Sequence, residues 1–201
     1  LYDAGALHAA AAGFQARALA APWAPSYWYD LGAAEYRLGN DGDAMAAWAR
    51  ALRLDPRSVT FARARVLLPS PDPVTASWLQ PWVVTPEEVA IFALALWVVG
   101  WLGLLLTSEA RGRWWMLVST GVIVAAGSWG MARKDAIPLA VVRIEGPVRV
   151  SPYGSAPPSR SLPVGTAVRP ERRRGDWVLV LAATGDEGWV PAETLASVVD
   201  F

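Results

Sequence analysis

Two long uncharged segments occupy the middle of the chain. No charged residue falls within residues 89–108 or 114–132, which are 20 and 19 residues long. At about 1.5 Å of rise per residue, a helix of either length covers about 30 Å, the thickness of a bilayer's hydrocarbon core. A backbone in lipid must satisfy its own hydrogen bonds, so two helices are expected. Residues 109–113 leave room only for a tight turn, and the sequence predicts a two-span transmembrane hairpin over residues 89–132.

Other features of the chain agree with a membrane hairpin. The alternative, a helical hairpin buried in a large soluble core, is disfavoured because the rest of a 201-residue chain offers little material to cover it. A secretory signal is excluded because the segment is internal. Amphipathic indoles favour the levels where a membrane meets water. The candidate membrane-interface residues are Trp78, Trp82, Trp114, Trp115 and Trp129.

The orientation of the hairpin follows from the basic residues beside it. Arg111 and Arg113 lie in the turn, whereas Arg133 and Lys134 lie on the far flank and weaken the asymmetry. The density of positive charge favours a cytoplasmic turn. We therefore predict a bacterial inner-membrane protein with two spans and both flanking parts in the periplasm.

The N-terminal part, residues 1–68, is predicted to form helical repeats. Residues 25–56 carry the spacing of one tetratricopeptide repeat. The matching positions are Trp28, Leu31, Gly32, Gly39, Ala44, Trp48, Ala51 and Pro56. A partial copy of the pattern precedes this repeat, and residues 58–68 read as a capping helix. The chain opens inside the partial copy, which indicates a preceding segment.

Repeats of this kind resemble scaffolds that bind peptides and proteins in a concave groove. The family's groove positions correspond to Ser26, Tyr29, Ala33, Tyr36 and Arg37. Packing of Tyr29 and Tyr36 against neighbouring repeats is an equally good interpretation. A proline-rich linker over residues 69–88 follows, and Thr85 and Pro86 at its end are typical of a helix start.

The C-terminal part, residues 138–201, changes to short β-runs separated by Gly and Pro, which favours a small β-barrel. The segments Gly175–Val180 and Thr184–Pro191 resemble a bacterial SH3-like domain. That resemblance implies a peptide- or cell-wall-binding surface formed by Tyr153, Trp177 and Trp189, although the interpretation that both tryptophans pack in the barrel core is favoured. Arg172, Arg173 and Arg174 are predicted to lie in a hairpin turn, facing either solvent or an anionic partner.

Composition narrows the function further. With 18 basic and 18 acidic residues, the chain lacks the basic balance of a nucleic-acid binder. It contains no Cys and a single histidine, His8, and no phosphate-binding loop, nucleophile elbow or metal-ligand spacing is present. We therefore predict a non-enzymatic protein without cofactor, metal or nucleic-acid partner.

The predicted fold is a multidomain chain of tetratricopeptide repeats, a two-span transmembrane helical hairpin and a small SH3-like β-barrel. This order resembles the BatE-type proteins of aerotolerance operons, and the resemblance implies an envelope scaffold that works with other membrane proteins. A second hypothesis is a structural accessory subunit of a large photosynthetic or respiratory membrane complex. A third is a cell-wall-binding module. The partners expected are subunits of a multi-subunit assembly, the lipid bilayer, and peptides or cell wall.

Overall fold

The computed structural model describes residues 6–68, 72–79, 86–106, 120–121, 127 and 137–199. The helices in these ranges are α1 (Leu7–Ala20), α2 (Pro25–Arg37), α3 (Asp41–Leu54), α4 (Val59–Val66), α5 (Pro73–Leu79) and α6 (Pro86–Leu106). The strands are β1 (Leu139–Val142), β2 (Gly146–Arg149), β3 (Pro158–Leu162), β4 (Ala167–Arg174), β5 (Trp177–Ala182), β6 (Glu187–Pro191) and β7 (Leu195–Val199).

The described residues divide into two compact units. One unit contains α1 to α5 together with the whole sheet, and the other lies within residues 82–137 and contains α6. The helical and β segments, which the sequence separates into two domains, therefore belong to one body.

The hairpin of α2 and α3 is held by one close approach. Gly39, with φ 78°, makes the turn between the two helices. A Cβ on Gly32 would lie 2.4 Å from the Trp48 ring, so only glycine admits the indole here. Trp48 is 2% exposed, and its Nε1 donates to the carbonyl oxygen of Tyr29 at 3.2 Å. Trp48 thus fixes the distance between the two helices.

The seven described strands form one antiparallel sheet in the order β3-β2-β6-β5-β4-β1-β7. Its edge strands β3 and β7 are separated by five strands and do not pair with each other. The prediction of a closed SH3-like barrel is therefore wrong, as is the three-part fold class built on it. Gly and Pro spacing marks turns between strands, but it does not specify whether the two edges of a sheet meet.

The two faces of the sheet have different coverings. All seven described strands contribute to one apolar cluster, which consists of Ala140, Val142, Val148, Leu162, Val168, Val178, Val180, Ala182, Val190 and Leu195. The opposite face of β1 and β7 packs against α3 in a second cluster that includes Trp48, Leu79, Val141 and Val198. This second cluster joins the helices to the sheet, and we name it the helix–sheet cluster.

Polar contacts align the helices on the sheet. The side chain of Asp43 at the start of α3 pairs with Arg143 at 2.8 Å. Burial raises the pKa of Asp43 above its usual range, although the ion pair with Arg143 opposes this effect. On α5, the buried Thr75 hydroxyl accepts a hydrogen bond from the backbone N–H of Ala167 at 3.2 Å. A buried N–H needs such a partner, so this bond fixes α5 against β4.

Across the residues that the structure describes, none of the helices combines the length and the apolar character needed to span a bilayer. The predicted two-span hairpin is therefore wrong, and with it the inner-membrane localisation and periplasmic placement. The prediction rested on the length of an uncharged run, and that length does not specify what surrounds a helix. The first predicted span overlaps α6, whereas most of the second, residues 114–132, lies outside the described residues.

Of the five predicted membrane-interface tryptophans, only Trp78 is among the described residues. Trp78 lies on α5, packs against the helix–sheet cluster and carries the Arg169 guanidinium 4.1 Å above its ring. This cation–π contact accounts for Trp78 without a membrane. Trp82, Trp114, Trp115 and Trp129 lie outside the described residues.

Substitution at Gly42 tests the contact of α3 with the sheet. A Cβ at this position would lie 2.4 Å from the Cα of Arg143, and neither backbone can yield without separating the elements. We expect Gly42→Ala to lower the free energy of unfolding by about 1–3 kcal/mol, as overpacking does. Gly13→Ala in α1 is the control, because no heavy atom lies within 4 Å of its Cβ. It should raise stability by about 0.5–1 kcal/mol. Equal effects of the two substitutions in urea unfolding would contradict the packing.

Substitution at Thr75 tests the hydrogen bond between α5 and β4. Thr75→Val keeps the shape but leaves the N–H of Ala167 without its acceptor, which should cost about 1–3 kcal/mol. Thr75→Ser keeps the hydroxyl and loses one methyl group, worth about 0.8 kcal/mol. Hydrogen exchange at Ala167 should accelerate in the valine variant and much less in the serine variant. The reverse order would show that the bond does not hold the two elements.

Candidate functional site

One face of β5 and β6 is apolar but only half-buried. Strand β5 alternates strictly, with Val178, Val180 and Ala182 in the core of the sheet. The alternate residues of β5 lie opposite Trp189 and Pro191 of β6, so they share one face. We name this surface the tryptophan face, formed by Trp177, Leu179, Leu181, Trp189 and Pro191.

A bulge in β4 determines which charged residues border the tryptophan face. Pro170 pairs with Val180, but the next pair is Arg172 with Leu179, so Glu171 is the extra residue. As a result Arg172 and Arg174 lie beside Leu179 and Trp177, on the tryptophan face. Arg173 pairs with Val178 and lies on the opposite side of the hairpin.

A third arginine borders the face from β2. Arg149 pairs with Trp189, and its Nη1 donates to the carbonyl oxygen of Ala156. This bond ties the loop after β2 back to the strand. Since a guanidinium has five N–H donors, the bond to Ala156 leaves others for a ligand. The face therefore has arginines on both flanking strands.

Acidic groups lie at one end of the tryptophan face. Glu187 pairs with Leu181 and is exposed. In the adjacent turn, hydrogen bonds from Thr184 and Arg160 hold the pKa of Asp186 below its usual range. At this end the face also borders α5, because Arg169 pairs with Leu181 and lies over Trp78. The arginines that pair with Leu179, Trp177 and Trp189 lie away from this end.

The three residues predicted for the SH3-like surface are not equivalent. Trp177 and Trp189 lie on the same face of adjacent strands, two positions apart in register. Both point away from the core cluster of the sheet and are half-buried. Tyr153 lies in the loop after β2, outside the strands that carry the tryptophans, and is 55% exposed.

The five predicted groove residues do not share one open surface. Tyr29 and Ala33 pack against the helix–sheet cluster, and the Tyr29 ring lies 5.1 Å from that of Phe61. Tyr36 packs beside Trp48 at 5.6 Å between ring centroids and remains 39% exposed. Ser26 and Arg37 are exposed. Part of the predicted groove thus packs against the chain's own residues.

Sequence reasoning missed Arg149, Leu179 and Leu181 as surface residues. The alternation of Trp177–Ala182 contains a signal for two faces, but both sets of side chains are apolar, so the sequence does not tell which set is covered. The pairing of Arg149 with Trp189 joins strands that are distant in the sequence, and no local pattern reports it.

Helix α6 presents a second apolar surface. Its large exposed side chains are Ile91, Phe92, Leu94, Leu96, Trp97, Val98 and Val99. At about 100° per residue, the four consecutive positions 96–99 alone sweep about 300° around the helix axis. Over residues 91–99, α6 therefore exposes apolar side chains around most of its circumference, although Ala93 is buried. Within the described ranges, no group of three or more acidic, His or Cys side chains is placed to hold a metal ion.

Comparison with known proteins found no matching family model, and neither a curated protein nor a solved structure is significantly similar to this chain.

Proposed function

We propose that this chain is a non-catalytic protein-interaction module whose main contact surface is the tryptophan face. The observation that carries the proposal is the position of Trp177 and Trp189, which are half-buried on the same face of adjacent strands, where Trp189 pairs directly with Leu179. Trp and Arg are the side chains most enriched among residues that dominate binding energy at interfaces. Both Trp and Arg side chains lie on the tryptophan face.

The rigidity of the sheet supports the same function. Residues opposite the tryptophan face pack in a core cluster, and Val178 and Val180 of this cluster are completely buried. The backbone beneath the tryptophans is therefore fixed before a partner arrives. A fixed surface loses little conformational entropy on binding, which favours affinity.

A second candidate function is that of a structural accessory subunit in a larger assembly. The exposed apolar side chains of α6 favour it, because an apolar surface of this extent usually marks an interaction site. In this alternative, α6 is enclosed by other subunits.

Site-specific photo-crosslinking in the native host distinguishes these functions. A benzoyl-phenylalanine placed at Trp177, Phe92 or His8 samples the tryptophan face, α6 and an exposed position of α1, respectively. The interaction module predicts a discrete adduct from position 177 that mass spectrometry identifies as one protein. The adduct should be absent from position 8 and should disappear when Trp189→Ala is added.

Two other cross-linking results would contradict the interaction module. Adducts from position 92 with none from position 177 would replace the first candidate by the accessory subunit. Identical adducts from positions 177 and 8 would show that the tryptophan face has no specific partner.

A further inference from the structure

We infer that the tryptophan face binds an extended, acidic segment of a partner protein, with apolar residues between its acidic side chains. The inference rests on the proposed interaction function and adds the chemistry of the partner. It follows from the arrangement of charged and apolar residues across four neighbouring strands.

Side chains of four neighbouring strands form a row across the sheet. Arg149 of β2 pairs with Trp189, Trp189 pairs with Leu179, and Leu179 pairs with Arg172. Directly paired residues point to the same side. One row therefore runs arginine, tryptophan, leucine, arginine from β2 to β4. A second row, of Arg174, Trp177 and Pro191, runs beside it.

The length of this row matches a short extended peptide. Three strand spacings of about 4.8 Å separate β2 from β4, which gives about 14 Å between the two terminal arginine positions. An extended peptide covers that distance in about four residues at 3.3 Å each. Two acidic side chains about four positions apart would meet both arginines, and the residues between them would lie on Trp189 and Leu179.

Positive and negative charges are unequally distributed over the tryptophan face. Arg172 and Arg174 are exposed. Among the described residues, the acidic residue that pairs with a member of this face is Glu187, which lies at its far end. Glu171 is the extra residue of the bulge, and Asp176 lies in the β4–β5 turn. The centre of the face therefore carries an excess of positive charge. Guanidinium groups bind carboxylates through paired hydrogen bonds, which favours acidic side chains over neutral ones.

Selection from a displayed library of random 12-residue peptides on the full chain tests the inference. We expect enriched sequences to carry two Asp or Glu residues about four positions apart, with Leu, Pro or aromatic residues between them. Affinities of the synthetic peptides should fall at least tenfold in Arg172→Glu. Replacing by Lys only the acid that meets position 172, and keeping the acid that meets Arg149, should restore binding to that variant.

Arg173→Glu is the matched control. It makes the same charge change one residue away, but its side chain lies on the opposite side of the hairpin. We expect less than a threefold loss at 150 mM salt, where exposed charges are screened over about 8 Å. Equal losses in the two variants would overturn the inference, since they would indicate attraction by net charge alone.

Other results of the peptide selection, and binding to lipid vesicles, would also contradict an acidic peptide partner. Enriched peptides without acidic residues, or no enriched peptide at all, would overturn the acidic partner class. Tight binding of phosphatidylserine vesicles that Arg172→Glu abolishes, with no peptide selected, would replace the peptide by a lipid surface. A specific adduct from position 177 alongside any of these results would leave the interaction function standing and remove only this inference.

Discussion

The structure depends on the burial of α3 between α2 and the sheet. Trp48 on α3 packs against Gly32 on one side and joins the cluster with β1 and β7 on the other. Gly42, at the first turn of the same helix, lets the backbone of α3 approach that of Arg143. Without α3, the apolar side chains on one face of β1 and β7 would lose their main covering. The helices and the sheet are therefore two layers that share a core.

Local features of the fold could be predicted from the sequence. Pro25 and Pro86 begin helices, Pro56 follows the end of α3, and Ser58 caps α4, all from short-range chemistry. Contacts between distant segments could not be predicted. The pairing of Asp43 with Arg143 and of Thr75 with Ala167 depends on how layers pack, and the repeat-like and SH3-like patterns describe each part as if it stood alone. The resemblance to BatE-type proteins stays a prediction.

The arrangement of the tryptophan face also depends on contacts between strands that the sequence alone does not predict. The sequence identifies Trp177 and Trp189 as conspicuous residues, but their common face follows from the register of β5 on β6. A single bulge at Glu171 decides that Arg172 and not Arg173 joins them. A one-residue difference in β4 would reverse that choice, because side chains alternate between faces along a strand. The chemistry of the surface is therefore set by strand register as much as by residue type.

Native-state hydrogen exchange measures the central claim, that helices and sheet form one cooperative unit, most directly. Amides of Trp48 in α3, Val141 in β1 and Val180 in β5 should exchange with the same free energy and the same dependence on urea, because they become exposed together in global unfolding. If the α3 amides instead exchange through an opening of much lower free energy while β1 and β5 stay protected, the helices are an appendage of the sheet and the shared core does not hold the fold together.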